Sequence, residues 1–384
     1  MQYILKRRLL HAIYEMGNGR KKIETALDYG FDTYSGFYKS FVREFGCTPA
    51  EYLRKYRVNR PYPINICQEE HVMLSHKRIS EVLTFWGLRN AKITDVIFAG
   101  SGKTSDSANY VDDKYVVKYA NNLGSVMKTI KICQALADAG LSAPKIIPTT
   151  SGRIYAESGE RYFFLSEKMN GRPVVASHVF LDEYEPKARF IGEIVGRLDF
   201  ALQKIDAAVD DVDTCAAVRD WALPALKDRL PVENDFADKY VRKLESLYKQ
   251  LPRQIIHRDP NPGNIIVSDD QWGFVDFELS ERNVRIYDPC YAATAILSET
   301  YKEGNEEKLE KWTSLMKEII CGYDSVVHLS PKEREAVPYL ILANQFVATA
   351  WFAGKDKYKD IFDVNLKMTR WMIKNFRKLD VSNA

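Results

Sequence analysis

Apolar residues recur at helical spacing through the first fifty positions. From Tyr3 to Ile13 they are Ile4, Leu5, Leu9, Ala12 and Ile13, with Lys6, Arg7 and Arg8 between them, which predicts an amphipathic basic helix. A second helical pattern, Ile23, Ala26 and Leu27, ends at Tyr29-Gly30, where glycine can take the left-handed conformation that closes a helix. Asp32 or Thr33 can cap a third helix, on which Phe37, Phe41 and Phe45 share one face at four-residue intervals. Gly46-Cys47-Thr48-Pro49 stops it and starts a short helix through Tyr52 and Tyr56. Val58–Cys67 then carries two prolines within three residues and no clean period, so the spacing predicts a helical domain over 1–60 and a linker over 61–76.

Helical spacing resumes over 77–88 and gives way to strand patterns at Ile93–Phe98 and Tyr110–Ala120, which flank the glycine loop Gly100-Ser101-Gly102-Lys103-Thr104-Ser105. Two more apolar strand segments, Ile265–Val267 and Phe274–Val275, stand far along the chain. The longest apolar stretch, Val337–Gly354, is interrupted by Asn344 and Gln345 and barely reaches bilayer-spanning length, so it reads as a buried helix. The order of elements predicts an α+β body after a small all-α head.

Composition matters once it is divided along the chain. The 384 residues, 46% hydrophobic and 12% aromatic, exclude wholesale disorder and allow two or three domains. The net charge is only +3, yet residues 1–60 hold 12 Lys and Arg against six acids, which leaves a +6 head on a −3 body. That asymmetry points to a polyanion-binding head. Cysteines 47, 67, 133, 215, 290 and 321 are scattered, with no paired spacing and no His at metal-ligand distance, as expected of free thiols in a reducing compartment. Lys6-Arg7-Arg8 leads into no apolar run, which excludes a signal peptide. The expectation is a cytoplasmic protein with no membrane partner.

Three features carry candidate chemistry. The run GSGKTS fails as a Walker A loop, because the position five before Gly102 is Ile97 and the residues after Thr104 lead to a strand; a glycine loop between antiparallel strands can still offer N–H groups to phosphates. Lys118 lies on the strand YVVKYA, and a lone strand lysine is more often surface than functional. The segment Gln254–Glu278 decides more. His257, Asp259, Asn264 and Asp276 are flanked by the two late strands, and their spacing fits a loop, a hairpin strand, a turn and a return strand, which can bring a carboxylate base and two hard oxygen ligands to one point. In the head, two short helices across a tight turn make a helix-turn-helix, although a small bundle with a solvated face fits the helix pattern equally.

Ile23–Arg57, with its paired Phe and Gly-x-Thr-Pro-x-x-Tyr landmarks, resembles the second helix-turn-helix of the AraC/XylS family, and residues 3–16 resemble that family's linker helix. The resemblance implies DNA as a partner, met by Tyr34, Ser35, Lys39 and Arg43. The family carries two such motifs and only one stands here, so three outcomes stay open: weak DNA binding, action as a homodimer, or a start codon upstream of Met1. The body, over residues 77 to 384, resembles the aminoglycoside phosphotransferase/choline kinase superfamily in HRD(x4)N and DFE, in Ser166–Pro173 as hinge, and in Tyr287-Asp288-Pro289. That resemblance implies a bilobal protein-kinase-like fold, with a small β-rich lobe and hinge over 77–171 and a large helical lobe over 172–384. It further implies ATP and Mg²⁺, with Asp259 as the base, Asn264 and Asp276 as metal ligands, and Lys118 on the phosphates. Gly100, Ser101, Gly102 and Ser105 would cover the phosphates, and main-chain groups of Glu167, Lys168 and Met169 would hold adenine.

Three departures qualify the match. No acid lies between Tyr119 and Ala137, where the family places a Glu to hold the lysine; Lys128 stands near that point, so Lys118 is expected to lack a partner unless another acid substitutes. Asp199 stands where a His is usual, and Arg258 where Gly is frequent. For the acceptor, Glu278, Asp288 and Trp351 are candidates for an acidic, aromatic-lined pocket suited to a cationic amino alcohol or aminosugar. The functional expectation is an O-phosphotransferase for a small hydroxylated molecule fused to a DNA-binding head. Its alternative is a transcription regulator whose kinase-like domain senses a nucleotide or metabolite.

Overall fold

A computed structural model of the chain describes residues 2–55, 74, 76–97, 104–230, 234–355 and 358–381. The chain divides into two compact units, Met1–Glu70 and His71–Ala384. In the first, α1 (Gln2–Gly17), α2 (Lys22–Asp28), α3 (Tyr34–Phe45) and α4 (Pro49–Lys55) stand in order. Gly30 closes α2 at φ +72°, a conformation that costs glycine nothing. Thr33 Oγ1 accepts the Gly36 N–H and starts α3, and Thr48 and Glu51 cap each other across the start of α4. Phe37 and Phe41 are fully buried against Leu9, Ala12, Ile13 and Ala26, and each such ring stabilises the unit by about 1.5–3 kcal/mol. Arg8 is committed to the fold rather than to a ligand. Its Nε donates to Tyr29 O at 2.6 Å, its Nη2 donates to Gly30 O, and its guanidinium lies 4.7 Å from the Phe31 ring.

The second unit begins with α5 (His76–Leu83). Its small lobe is an antiparallel sheet of β1 (Ile93–Ile97), β2 (Thr104–Val111), β3 (Tyr115–Ala120), β4 (Ile146–Ile147), β5 (Ala156–Ser158) and β6 (Arg161–Glu167), ordered β1-β2-β3-β6-β4 with β5 also on β6. The expected strand Tyr110–Ala120 is two strands. Asp112 and Asp113, both at φ +52°, turn the chain between them, a conformation that Asp tolerates better than most side chains. The pleat of β3 then sorts its residues. Val117 and Tyr119 enter a core with Ile79, Trp86 and Phe163, while Val116 and Lys118 face the opposite side, where Ala108 and Phe164 pair with Lys118 across the sheet. Helix α6 (Leu123–Asp138) packs on that side through Val126 and Ile130 against Phe164.

The large lobe holds β7 (Arg172–Pro173), α7 (Ala176–Val179), α8 (Tyr184–Leu202), α9 (Thr214–Ala217), α10 (Leu223–Leu226) and α11 (Asn234–Tyr248). It continues through β8 (Arg253–Ile256), β9 (Ile265–Val267), β10 (Trp272–Phe274) and β11 (Glu281–Val284) to α12 (Tyr287–Thr300), α13 (Glu306–Val327), α14 (Pro331–Phe352) and α15 (Lys359–Lys374). The α+β, bilobal arrangement is the one expected. Helices α8 and α13 meet backbone to backbone: a Cβ on Gly192 would lie 1.9 Å from Ile319 O, and one on Gly322 2.1 Å from Arg189 O. The stretch Val337–Gly354 falls mostly in α14 and is largely buried, and among the described residues no helix is long and apolar enough to cross a membrane.

Candidate active site

The site grows from one hairpin and the loop that precedes it. Strands β9 and β10 pair with Ile265 opposite Phe274, and the Val275 N–H donates to Asn264 O at 3.0 Å, so Asn264 and Asp276 emerge side by side. Asp276 sits at φ +70° and turns the chain sharply into a 3-10 turn over Phe277–Leu279. Asn264 Nδ2 donates to Asp259 O at 2.9 Å and to Asp259 Oδ2 at 3.2 Å, which leaves the amide oxygen as the atom available to a cation. Asn261 Nδ2 donates to Asp259 Oδ1 at 2.9 Å, and the Tyr291 hydroxyl also bonds this carboxyl. Burial, with a smaller push from the Asp276 charge, raises Asp259 to about 6 against these stabilising bonds.

The neighbouring residues hold that loop in shape. Buried His257, pushed down to about 4 by desolvation, is neutral: its Nε2 lies 3.1 Å from Val275 O and its Nδ1 accepts the Asp259 N–H at 3.3 Å. Arg258 takes φ +77°, bonds Glu281 at 3.2 Å and lies over the Tyr287 ring at 5.3 Å, which explains an arginine where a glycine is frequent. Asp288 is fully buried and accepts the N–H groups of His257 at 2.7 Å and Arg258 at 2.9 Å. It therefore faces the loop backbone and is not an acceptor-pocket residue as expected. Behind it, Asp199 Oδ2 accepts the Tyr323 hydroxyl at 2.7 Å, while Asp199 Oδ1 is buried with no ordinary donor among the described residues. Burial, then the adjacent Asp288 charge, raises the Asp199 carboxyl well above the usual carboxylate range, which makes it the member of the pair that holds a proton more readily.

Lys118 does not lack a partner. Its Nζ lies 2.8 Å from Asp276 Oδ1 and 2.9 Å from Glu278 Oε1. Burial alone would lower this ammonium's pKa, but the two carboxylates outweigh it and raise it, and the ammonium in turn holds Asp276 below the usual carboxylate range despite burial. Glu278 is thus an ion-pair partner of Lys118, a correction to its expected place in the acceptor pocket. Lys128, on α6, donates to Glu278 O at 2.6 Å and Ser280 O at 3.0 Å.

A cavity of about 1260 Å³ lies between the sheet and the hairpin. Ser105, Lys118, Glu167, Lys168, Met169, Asp259, Asn264, Asp276 and Trp351 all line it. Gly100, Ser101 and Gly102 fall outside the described residues. Of the hinge N–H groups, those of Glu167 and Lys168 already donate to Lys145 O and Lys114 O, both within 2.9 Å, which narrows a base-facing donor to Met169. Glu299, Asn344, Asp360 and Trp351 also line it, and the Trp351 ring holds the Lys355 ammonium 3.2 Å from its centroid. Glu299 touches water yet is walled by protein, and this partial desolvation with the Asp259 charge raises it to about 6. Reasoning from motifs alone passes over Tyr291 and Glu299. Helical spacing is the signal that could find them: Tyr291, Ala295, Ser298 and Glu299 stand at i, i+4, i+7 and i+8 on α12, and all line the cavity.

A family model described as Phosphotransferase enzyme family matches residues 99–313. The chain belongs to this family. A model described as a helix-turn-helix domain matches residues 1–55. The chain is similar to a homoserine kinase of Hyphomonas neptunium, 27% identical in an alignment of 192 residues that covers 46% of this chain and 57% of that protein; the chain thus spans little more than half of that relative's length. Among solved structures, a microcompartment-associated aminopropanol kinase is similar with TM-score 0.59 at 14% identity, covering 80% of this chain and 100% of that one. An amicoumacin kinase, solved with AMP-PNP, Ca²⁺ and Ami, gives 0.53 at 12%, covering 83% and 97%. A choline/ethanolamine kinase family protein from Mesorhizobium loti gives 0.54 at 14%, covering 80% and 98%. These likenesses fix the fold of the phosphotransferase unit.

In the head, Ser35, Lys39 and Arg43 recur every four residues along α3 and all are exposed. Tyr34 departs from this stripe: it is half-buried and its ring lies 5.8 Å from that of Phe37, so it belongs in part to the core.

Proposed function

We propose that the chain is an ATP- and Mg²⁺-dependent O-phosphotransferase acting on a small alcohol that carries an amine. The observation that carries this reading is the convergence of Asp259, Asn264, Asp276 and Lys118 on one cavity wall. Phosphoryl transfer asks for positioning and charge neutralisation more than for covalent chemistry, and these four residues supply both. Asp259, raised toward neutrality and fixed by Asn261 and Asn264, orients the acceptor hydroxyl and takes its proton. Lys118 neutralises the nucleotide phosphates, Ser105 covers them, and Met169 meets the base. One carboxylate and one amide oxygen form a hard ligand pair of the kind that suits Mg²⁺, an ion that keeps several waters and phosphate oxygens; held by Asn264 and Asp276, it would supply charge neutralisation on the phosphates. The acceptor end favours a cation. Glu299 and Asp360 supply negative charge, and Asn344 Oδ1 is buried there with no donor among the described residues. Homoserine, named for the curated relative, and aminopropanol, named for a structural neighbour, are both amine-bearing alcohols.

The test is phosphoryl transfer from Mg²⁺-ATP by the purified chain to a panel of amino alcohols, homoserine and aminoglycosides. Transfer to at least one acceptor is expected, falling by roughly 10²–10⁴-fold in Asp259→Ala. Nucleotide binding with no transfer to any acceptor would instead favour a second reading, a transcription regulator whose kinase-like unit is a sensor. The helix-turn-helix match and the exposed Ser35, Lys39 and Arg43 stripe support DNA as a partner under either reading.

A further inference from the structure

We infer that Glu278 is the positioning residue for Lys118, supplying from the segment after Phe277 the acid that α6 lacks, and that Lys128 on α6 anchors that segment. The inference rests on the proposed nucleotide-binding role of Lys118. Residues 119–137 contain no Asp or Glu, so α6 offers no carboxylate to the ammonium before its last residue. The left-handed turn at Asp276 brings residues 276 and 278 to the same side of the chain, and both place a carboxylate oxygen within 2.9 Å of Lys118 Nζ. The two acids are not equivalent. Asp276 lines the cavity beside Asn264 and is the carboxylate set aside for a divalent ion, whereas Glu278 is not part of the cavity lining and has Lys118 as its side-chain partner. Were Asp276 to give its charge to an ion, Glu278 would be the acid that stays with the lysine. Lys128 completes the exchange. A bare ammonium at its position on α6 would repel Lys118, but Lys128 is spent on the carbonyls of Glu278 and Ser280, at 2.6 and 3.0 Å, and pins the backbone that carries the replacement acid. In this chain α6 thus contributes a base that holds an acid from elsewhere, and no acid of its own before Asp138.

The test is a double-mutant cycle on the full chain, read by calorimetric binding of ATP with Mg²⁺ and, separately, of adenosine. Glu278→Gln and Lys118→Ala should each weaken ATP by about tenfold or more, the loss expected when one charged hydrogen bond is removed, and leave adenosine binding unchanged. The double variant should be no weaker than Lys118→Ala alone, since Glu278 then has nothing to position. Three results would overturn the inference: unchanged ATP affinity in Glu278→Gln, losses that add in the double variant, or an equal loss of adenosine. A wild-type chain that binds ATP no better than adenosine would instead remove the nucleotide reading itself, and the two failures are distinguishable.

Discussion

Asp199 and Asp288 share a fully desolvated position directly under the loop His257–Asp259. Asp288 is fixed as an acceptor by the main-chain N–H groups of His257 and Arg258, so the proton between the two carboxyls belongs to Asp199, against the opposing donor bond from Tyr323. Burial, reinforced by the neighbouring charge, raises both groups, Asp288 to about 7. An acid whose folded pKa lies above its unfolded value stabilises the fold only while it stays protonated, and that contribution is lost as pH rises through the folded value. The pair's contribution to stability should therefore fall as pH climbs from about 4, where an unfolded Asp ionises, to about 7. Asp199→Asn keeps a donor toward Asp288 and removes the second charge. Its thermal midpoint should depend less on pH over that window, and a slope equal to that of the wild type would show that the pair does not share a proton.

Helices α8 and α13 show how packing can reverse a local preference. Ala is a better helix former than Gly by roughly 1 kcal/mol, so propensity alone predicts that Gly322→Ala stabilises. The added Cβ would fall 2.1 Å from Arg189 O, and the two helices must part to admit it. The expected result is destabilisation of about 1–3 kcal/mol in urea titration, the usual cost of overpacking. The same opposition between local and distant causes governs what is legible in the sequence. Asp259, Asn264 and Asp276 are legible because one hairpin carries them, and its spacing fixes their neighbours. The caps at Gly30 and Thr33 are legible for the same reason. The β2–β3 turn is not, because two aspartates rather than glycines occupy its left-handed positions. Glu278 and Asp288 read as acceptor residues because sequence gives proximity to the motif but not side-chain direction. Lys128 reads only as the residue in place of an acid, since its bonds to Glu278 and Ser280 cross about 150 residues.

Over the whole chain, the near-neutral total conceals two different surfaces. The head carries an excess of basic residues, but Arg8 is tied to Tyr29 and Gly30, so the charge available to a polyanion is smaller than the count. If Lys39 and Arg43 meet DNA phosphates, Lys39→Ala and Arg43→Ala should each reduce the slope of log affinity against log salt by about one, weakening all sequences alike. A change confined to particular sequences would assign them to base edges instead. The bond from Lys118 to Asp276 has a different consequence, one of chain connectivity. It spans 158 residues, so forming it costs the closure entropy of a long segment, a cost offset when the residues between are already folded. During synthesis this cradle of Lys118, Asp276 and Glu278 cannot exist until residue 278 has left the ribosome. Any ligand that recognises the completed cradle is then a probe of the whole unit's integrity, and a fragment that ends before the hairpin has no site to offer it.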